Sequence, residues 1–114
     1  MTLDELVQEL QGISGDRPVR DLARHIAEWK SDDRNIGALE SMVERFFGNV
    51  WIPDERDHAR ACRLWAAFRD GTLRAVGGMT MNERLHALGL FERFDACDTE
   101  VERRVVYGKV DARP

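Results

Sequence analysis

The chain has 114 residues and a formal net charge of -4; 43% of the residues are hydrophobic and 33% are charged. This composition predicts one globular domain, residues 1–114, and the negative net charge weighs against non-specific nucleic-acid binding, which depends on clustered positive charge. The sequence also lacks a run of about 18 apolar residues for a membrane span and the N-terminal pattern of a signal peptide, so we expect a cytoplasmic protein without membrane association.

Three amphipathic helices are predicted in the first half of the chain. The first, residues 2–12, opens on the capping box Thr2-Leu3-Asp4-Glu5 and places apolar residues at the i, i+3, i+4 and i+7 spacing. The second, residues 16–30, carries a proline in its first turn. We expect Ser31-Asp32-Asp33 to form a turn and to supply the N-cap of a third helix, which ends at Gly48.

The middle of the chain is predicted to alternate an apolar connection, a helix and a glycine-containing link. Residues 50–53 are too apolar for a free loop, so we expect an extended segment with Trp51 packed against the core. Asp54 is a good N-cap for a fourth helix that ends at Gly71. Residues 72–78 then form a link that contains a brief helical turn and a glycine pair, which makes it mobile or sharply bent.

A single buried helix, residues 80–95, is predicted to organise the rest of the chain. It opens on the capping pattern of Thr80 and Glu83, and at about 100° per residue its apolar side chains cover about 220° of the helical wheel. Arg84 falls inside this apolar arc, so its side chain should either extend to the surface or meet a carboxylate. We favour an ion pair with an acid from a neighbouring helix. A narrow strip of the same helix is left for solvent: Asn82, His86, Gly89 and Arg93.

The last segment is predicted to be a helix that begins at Thr99, where Glu102 completes another capping pattern. The β-branched run Val105-Val106-Tyr107 leaves a terminal strand as the alternative. Together these elements predict an all-α fold, a bundle of five or six short helices.

The sequence contains no recognisable catalytic motif. His25, His58 and His86 lie on three different predicted helices, and none belongs to the His-Glu-x-x-His pair of the zincin motif. Cys62 and Cys97 are far apart in sequence and form no Cys-x-x-Cys pair, so we expect reduced thiols rather than a disulfide. We therefore predict no catalytic residues, no metal and no cofactor, and a protein that is not an enzyme.

Acidic residues are concentrated near the end of the chain, where Glu92, Asp95, Asp98, Glu100 and Glu102 extend from one predicted helix across a turn into the next. Helix capping explains some of them, but so long a group should also present charge to solvent. We expect the partner-binding surface here, formed by residues of this group and of the neighbouring polar strip: Glu92, Asp95, Asp98, Glu100, Asn82, His86 and Arg93. The alternative for the strip is an ordinary solvated helix face.

One stretch carries a family resemblance. Met79-Thr-x-Asn-Glu-Arg-Leu85, followed by Gly89-Leu90-Phe91 and Phe94-Asp95, resembles a pattern in small bacterial proteins, some of which are similar to immunity proteins of polymorphic toxin or contact-dependent growth-inhibition systems. The segments 48–52 and 64–68 extend the similarity to about two thirds of the chain. The resemblance implies a role in neutralising a toxin and implies no catalytic residue.

The leading hypothesis is an immunity protein that binds a cognate toxin domain, with a nuclease as one candidate, and blocks it in a stoichiometric complex. An acidic surface would then steer association with a cationic partner. The alternative is a non-catalytic helical adaptor or regulator whose partner is not a toxin. A DNA-binding regulator with a helix-turn-helix in its second and third helices comes third, because the net charge opposes it.

Overall fold

Helices account for the whole regular structure of residues 1–13 and 15–113, which are the residues that the computed structural model describes. These residues form no strand, so the all-α prediction and the final helix are confirmed. In chain order the elements are α1 (Leu3–Ile13), α2 (Arg17–Trp29), α3 (Ile36–Asn49), α4 (Glu55–Gly71), a 3-10 helix (Leu73–Gly78), α5 (Met81–Leu88), α6 (Phe91–Asp95) and α7 (Glu100–Lys109).

Capping side chains fix several helix starts as predicted. Thr80 and Glu83 exchange both bonds of a capping box, with N···O distances of 2.9 and 3.2 Å. Thr2 and Glu5 form the same reciprocal pair at the start of α1. The carboxylate of Asp54 accepts from two main-chain N–H groups in the first turn of α4, at 2.8 and 3.0 Å. These bonds satisfy amides that would otherwise lack a helical partner.

The N-cap of α3 is Asn35, whose side-chain oxygen accepts from the Ala38 N–H at 2.9 Å. The prediction that Ser31-Asp32-Asp33 would cap this helix is therefore wrong. The physical reason is that the two carboxylates in that turn are taken by cations from elsewhere in the fold, as described below.

Gly89 divides the predicted helix 80–95 into α5 and α6. Its φ angle is +68°, a left-handed conformation that glycine adopts without the penalty of a Cβ atom. The main-chain N–H of Leu90 closes the end of α5 by donating to the Leu85 carbonyl at 2.9 Å. The prediction of one continuous helix is thus wrong, and Gly89 is half-buried beside Asp4 of α1 instead of facing solvent.

A contiguous apolar core joins the helices; α6 contributes no buried residue, but its partly buried Phe94 packs against the core. Helix α1 packs against α2, α4 and α5, and the 3-10 helix packs against α4. Trp29, Phe68 and Leu88 are among the largest fully buried side chains. Burial of this apolar surface is the main favourable contribution to the stability of the fold.

The connection between α3 and α4 buries Ile52 and exposes Trp51, which is 71% accessible to solvent. The prediction that Trp51 packs against the core is therefore wrong. Successive side chains in an extended segment point to opposite sides, and here the isoleucine takes the core side.

The link after α4 contains the predicted helical turn, with Leu73 and Val76 buried. Its glycine pair, residues 77–78, completes the 3-10 helix and is not a sharp bend, because neither glycine has a positive φ angle. Within the described residues, no helix combines the length and the apolar character needed to cross a membrane.

Candidate partner-binding surface

Helix α5 presents two of the predicted surface residues, Asn82 and His86, to solvent. They are four residues apart and so lie one above the other on the same face of the helix. The opposite face is buried through Leu85 and Leu88. This amphipathic pattern places the amide and the imidazole where a partner could contact them.

The carboxylates of Glu92, Asp95, Asp98 and Glu100, here called the acidic edge, are all exposed on α6, α7 and the turn that joins them. Glu100 pairs with Arg104 at 3.1 Å, but both side chains are well exposed, so this ion pair contributes little. The other three carboxylates form no ion pair with any described residue. The acidic edge thus carries negative charge that the described fold does not neutralise.

Glu102 belongs to the same acidic group in sequence but serves the helix start. Its main-chain N–H donates to Thr99 Oγ1 at 3.1 Å, and its carboxylate accepts from the Asp98 N–H at 2.9 Å. Helix capping therefore explains the role of Glu102, but it does not explain the four residues of the acidic edge.

Arg93 was predicted to lie on the exposed strip, but its side chain is only 26% exposed and holds the loop between α2 and α3. One guanidinium nitrogen donates to the main-chain carbonyls of Lys30, at 2.9 Å, and of Asp32. The other donates to a carboxylate oxygen of Asp33 at 2.7 Å. Arg93 is thus a structural residue that ties α6 to this loop.

Lys109, which sequence reasoning did not single out, is fully buried at the end of α7. Its ammonium donates to the main-chain carbonyls of Trp29, Asp32 and Arg34, and to the Asp32 carboxylate at 3.0 Å. These oxygens surround the cation and replace its lost hydration. The sequence contained one indication of a buried cation, the acidic pair Asp32-Asp33 in the turn after α2. Its local pattern predicted a role in helix capping instead.

The pKa values of this cluster reflect burial and pairing together. Burial raises the pKa of the Asp32 carboxyl, but hydrogen bonds from Arg34 and Lys109 outweigh it and leave the pKa below its ordinary value of 3.8. Burial lowers the pKa of the Lys109 ammonium, and the hydrogen bond to Asp32 opposes that change. The cluster fixes the loop on which Arg93 and α6 rest.

Arg84 donates to main-chain carbonyls and not to the carboxylate expected from its place in the apolar arc. Its three acceptors are the Met79 carbonyl at 3.1 Å, the Val110 carbonyl at 3.0 Å and the Asp111 carbonyl at 2.6 Å. The last two follow the end of α7, where helical carbonyls lack partners. The prediction of an ion pair is wrong, and Arg84 instead caps α7.

An open depression of about 280 Å³ brings together His86 and Glu92, along with Asp4 and Lys30 of the first two helices. Lys30 is already paired with Asp4 at 2.8 Å. Among the described residues, the imidazole and the Glu92 carboxylate form neither a hydrogen bond nor an ion pair. The arrangement offers separate donor and acceptor groups for a partner.

The residues of the described chain that could coordinate a metal ion are dispersed over the fold. No three or more His, Cys, Asp or Glu residues within 1–13 and 15–113 are grouped so as to hold a metal ion. Cys62 and Cys97 are free and half-buried. Burial raises the pKa of the Cys62 thiol, and the Cys97 thiol donates to the Arg93 carbonyl at 3.3 Å.

No protein-family model, curated protein sequence or solved structure matches this chain.

Proposed function

We propose that this protein is a cytoplasmic immunity protein that binds a cognate bacterial toxin domain in a stoichiometric complex. It blocks the toxin without catalysing a reaction. The observation that carries the proposal is the acidic edge, in which Glu92, Asp95 and Asp98 form no ion pair with any described residue. The immunity-protein resemblance of residues 79–95 supports it independently.

A cationic toxin domain, such as a nuclease, is the partner that this charge favours. Nucleases hold phosphates with Lys and Arg, and carboxylates from an inhibitor can occupy the same cationic surface. Opposite charges also raise the association rate by steering the two proteins together. The complex should therefore form more slowly as the salt concentration rises.

The acidic edge rests on a well-supported part of the fold. Arg93 ties α6 to the loop after α2, and the ring of Phe94 packs against the ring of Tyr107 on α7 with centroids 5.8 Å apart. Because α6 and α7 are held in place before binding, little conformational entropy is lost when the partner docks. Such preorganisation suits an inhibitor that must act as soon as toxin enters the cell.

The decisive experiment is co-expression with a candidate toxin domain cloned from a gene that neighbours this one. Induction of that domain alone should reduce the number of surviving cells, and co-expression of this protein should restore survival and yield a co-purifying complex. An unrelated acidic helical protein serves as the control for non-specific binding. The proposal is contradicted if the domain is toxic, this protein does not restore cell survival, and the two proteins do not bind at submicromolar affinity. That result would favour the alternative, a helical adaptor with a non-toxin partner.

A further inference from the structure

The two most exposed large apolar side chains of the described residues are Trp51, which borders a groove lined by arginine and is followed in the chain by Asp54 and Glu55, and Val101, which is preceded by two exposed carboxylates. Trp51 is 71% exposed and follows α3, and Val101 is 72% exposed in the first turn of α7. Association with another protein surface would remove this apolar area from water, which is favourable.

The surroundings of Trp51 are aromatic. Its ring lies 6.3 Å from that of His58, which stacks on Phe47 at 6.2 Å, and Phe47 meets Phe46 edge to face at 5.6 Å. Phe46 and Val50 line an open groove of about 390 Å³. A row of rings thus connects the exposed tryptophan to an apolar groove.

The rim of this groove is cationic. Among its described lining residues are two arginines and a histidine but no Asp or Glu. Arg34 is held by Asp32 at 2.6 Å, whereas Arg45 forms no ion pair with a described residue. The groove and its exposed neighbour are here called the tryptophan patch, formed by Met42, Arg45, Phe46, Val50 and Trp51.

The surroundings of Val101 are acidic. Asp98 and Glu100 precede it and are both exposed, and the only ion pair of either within the described chain is the exposed one between Glu100 and Arg104. These three residues, Asp98, Glu100 and Val101, are here called the valine patch. It therefore offers an apolar side chain flanked by carboxylates, which complements an apolar groove flanked by arginine.

We propose that the tryptophan patch of one copy of this chain binds the valine patch of a second copy. The two-fold arrangement is part of this proposal: each copy then gives both patches to the other, and the assembly closes as a dimer instead of growing into a longer chain. The groove accepts the Val101 side chain, and Arg45 pairs with Glu100 of the other copy. Tryptophan and arginine are also the residues that most often dominate the affinity of protein interfaces.

This inference goes beyond the proposed function and can hold without it. The two share Asp98 and Glu100, so a dimer would cover part of the acidic edge. If both hold, the toxin and the second copy compete for the same carboxylates.

Sedimentation velocity over about a thousandfold range of protein concentration tests the dimer without any toxin. The wild type should shift from monomer to dimer as the concentration rises. Arg45→Glu and Glu100→Arg should each raise the dissociation constant about tenfold or more, and the double variant should recover most of the loss because it restores opposite charges. Arg20→Glu and Glu9→Arg make the same charge changes on exposed positions of α2 and α1 and should leave the dimer intact.

Fluorescence quenching by iodide gives a second readout. Trp29 and Trp65 are buried, so the quenchable emission reports on Trp51 and should decrease as the dimer forms. A wild type that stays monomeric throughout overturns the proposal. A dimer in which Trp51 remains quenchable, or in which the double variant is no better than the single ones, overturns it as well.

Discussion

The ammonium of Lys109 lies 3.7 Å from the centre of the Trp29 ring and donates to the carbonyl of the same residue. The indole N–H of Trp29 in turn donates to the Asn35 carbonyl at 3.0 Å. The end of α2, the start of α3 and the end of α7 therefore meet at one buried cation. A cation over an indole face is favourable when it is shielded from water, and here the surrounding carbonyls complete its coordination.

Lys109→Met should destabilise the protein by about 3 kcal/mol, because it leaves the Asp32 carboxylate and several carbonyls without their donor. Urea unfolding measures this free energy. Lys30→Met is the matched control, since it removes a partly exposed ion pair with Asp4 and should cost less than about 1 kcal/mol. Equal losses in the two variants would show that the buried cation has no special role.

The Asp32 carboxylate should make the stability fall in acid. Its folded pKa lies below the ordinary value of 3.8, so its contribution is fully present above that value and is lost as the pH falls through the lower folded pKa. The difference in unfolding free energy between wild type and Asp32→Asn should therefore shrink between about pH 5 and about pH 2. Urea unfolding across this range checks it, and a difference that stays constant would contradict the assignment.

Gly89→Ala should destabilise the protein by at least about 1–2 kcal/mol, the cost of placing a Cβ at a left-handed φ angle. The new Cβ would also lie 2.7 Å from a carboxylate oxygen of Asp4, so that side chain must move. Gly48→Ala is the control, because it adds a Cβ in α3 with no atom within 4 Å and should be neutral or slightly stabilising. Thermal unfolding of both variants, together with Gly89→Ala in an Asp4→Ala background, separates the backbone cost from the steric one.

Arg84→Met should cost about 2 kcal/mol, because the guanidinium supplies charged hydrogen bonds to the main chain at the end of α7. Hydrogen exchange should increase most at residues 110–112, whose amides close this end of the helix. Arg84→Lys keeps the charge but not the planar fork, so it should recover only part of the loss. Exchange that rises uniformly along the chain would argue against a local capping role.

The sequence predicted the helices well because their signals are local. Apolar spacing and capping residues such as Thr80 and Asp54 act within one turn, and the structure uses them as expected. Gly89 shows where the same reading failed: the helical wheel placed it on a continuous face, while the backbone takes a left-handed angle there. A periodicity that persists through a glycine does not distinguish one helix from two that pack on the same core.

The polar residues were harder to predict because their partners are distant in sequence. Arg93 reaches the loop after α2 across about sixty positions, and Lys109 reaches Asp32 across 77. Neither contact leaves a local pattern, since any exposed arginine or lysine near a helix end would look the same. Asp95 and Asp98 are exposed to solvent, as predicted. Their exposure could be predicted because charged residues rarely become buried without a partner, whereas the identity of a partner cannot be read from the local sequence.

Reversal of the charge of the acidic edge should weaken toxin binding strongly if the proposed function holds. The triple variant Asp95→Lys, Asp98→Lys and Glu100→Lys should weaken affinity for the neighbouring toxin domain about hundredfold at low salt, mostly through slower association. The affinity of the wild type for the toxin should itself fall as salt is added. The difference in affinity between the wild type and the triple variant should therefore become smaller.

The matched control for that variant changes the same charge on other exposed positions: Glu28→Lys, Glu44→Lys and Glu55→Lys on α2, α3 and α4. Because it shifts the net charge equally, it tests whether the location of the carboxylates matters or only the overall charge. Binding by calorimetry and survival in the co-expression assay should be near wild type for the control and strongly reduced for the acidic-edge variant. If the two variants lose affinity equally, long-range attraction alone explains binding and the contact surface lies elsewhere.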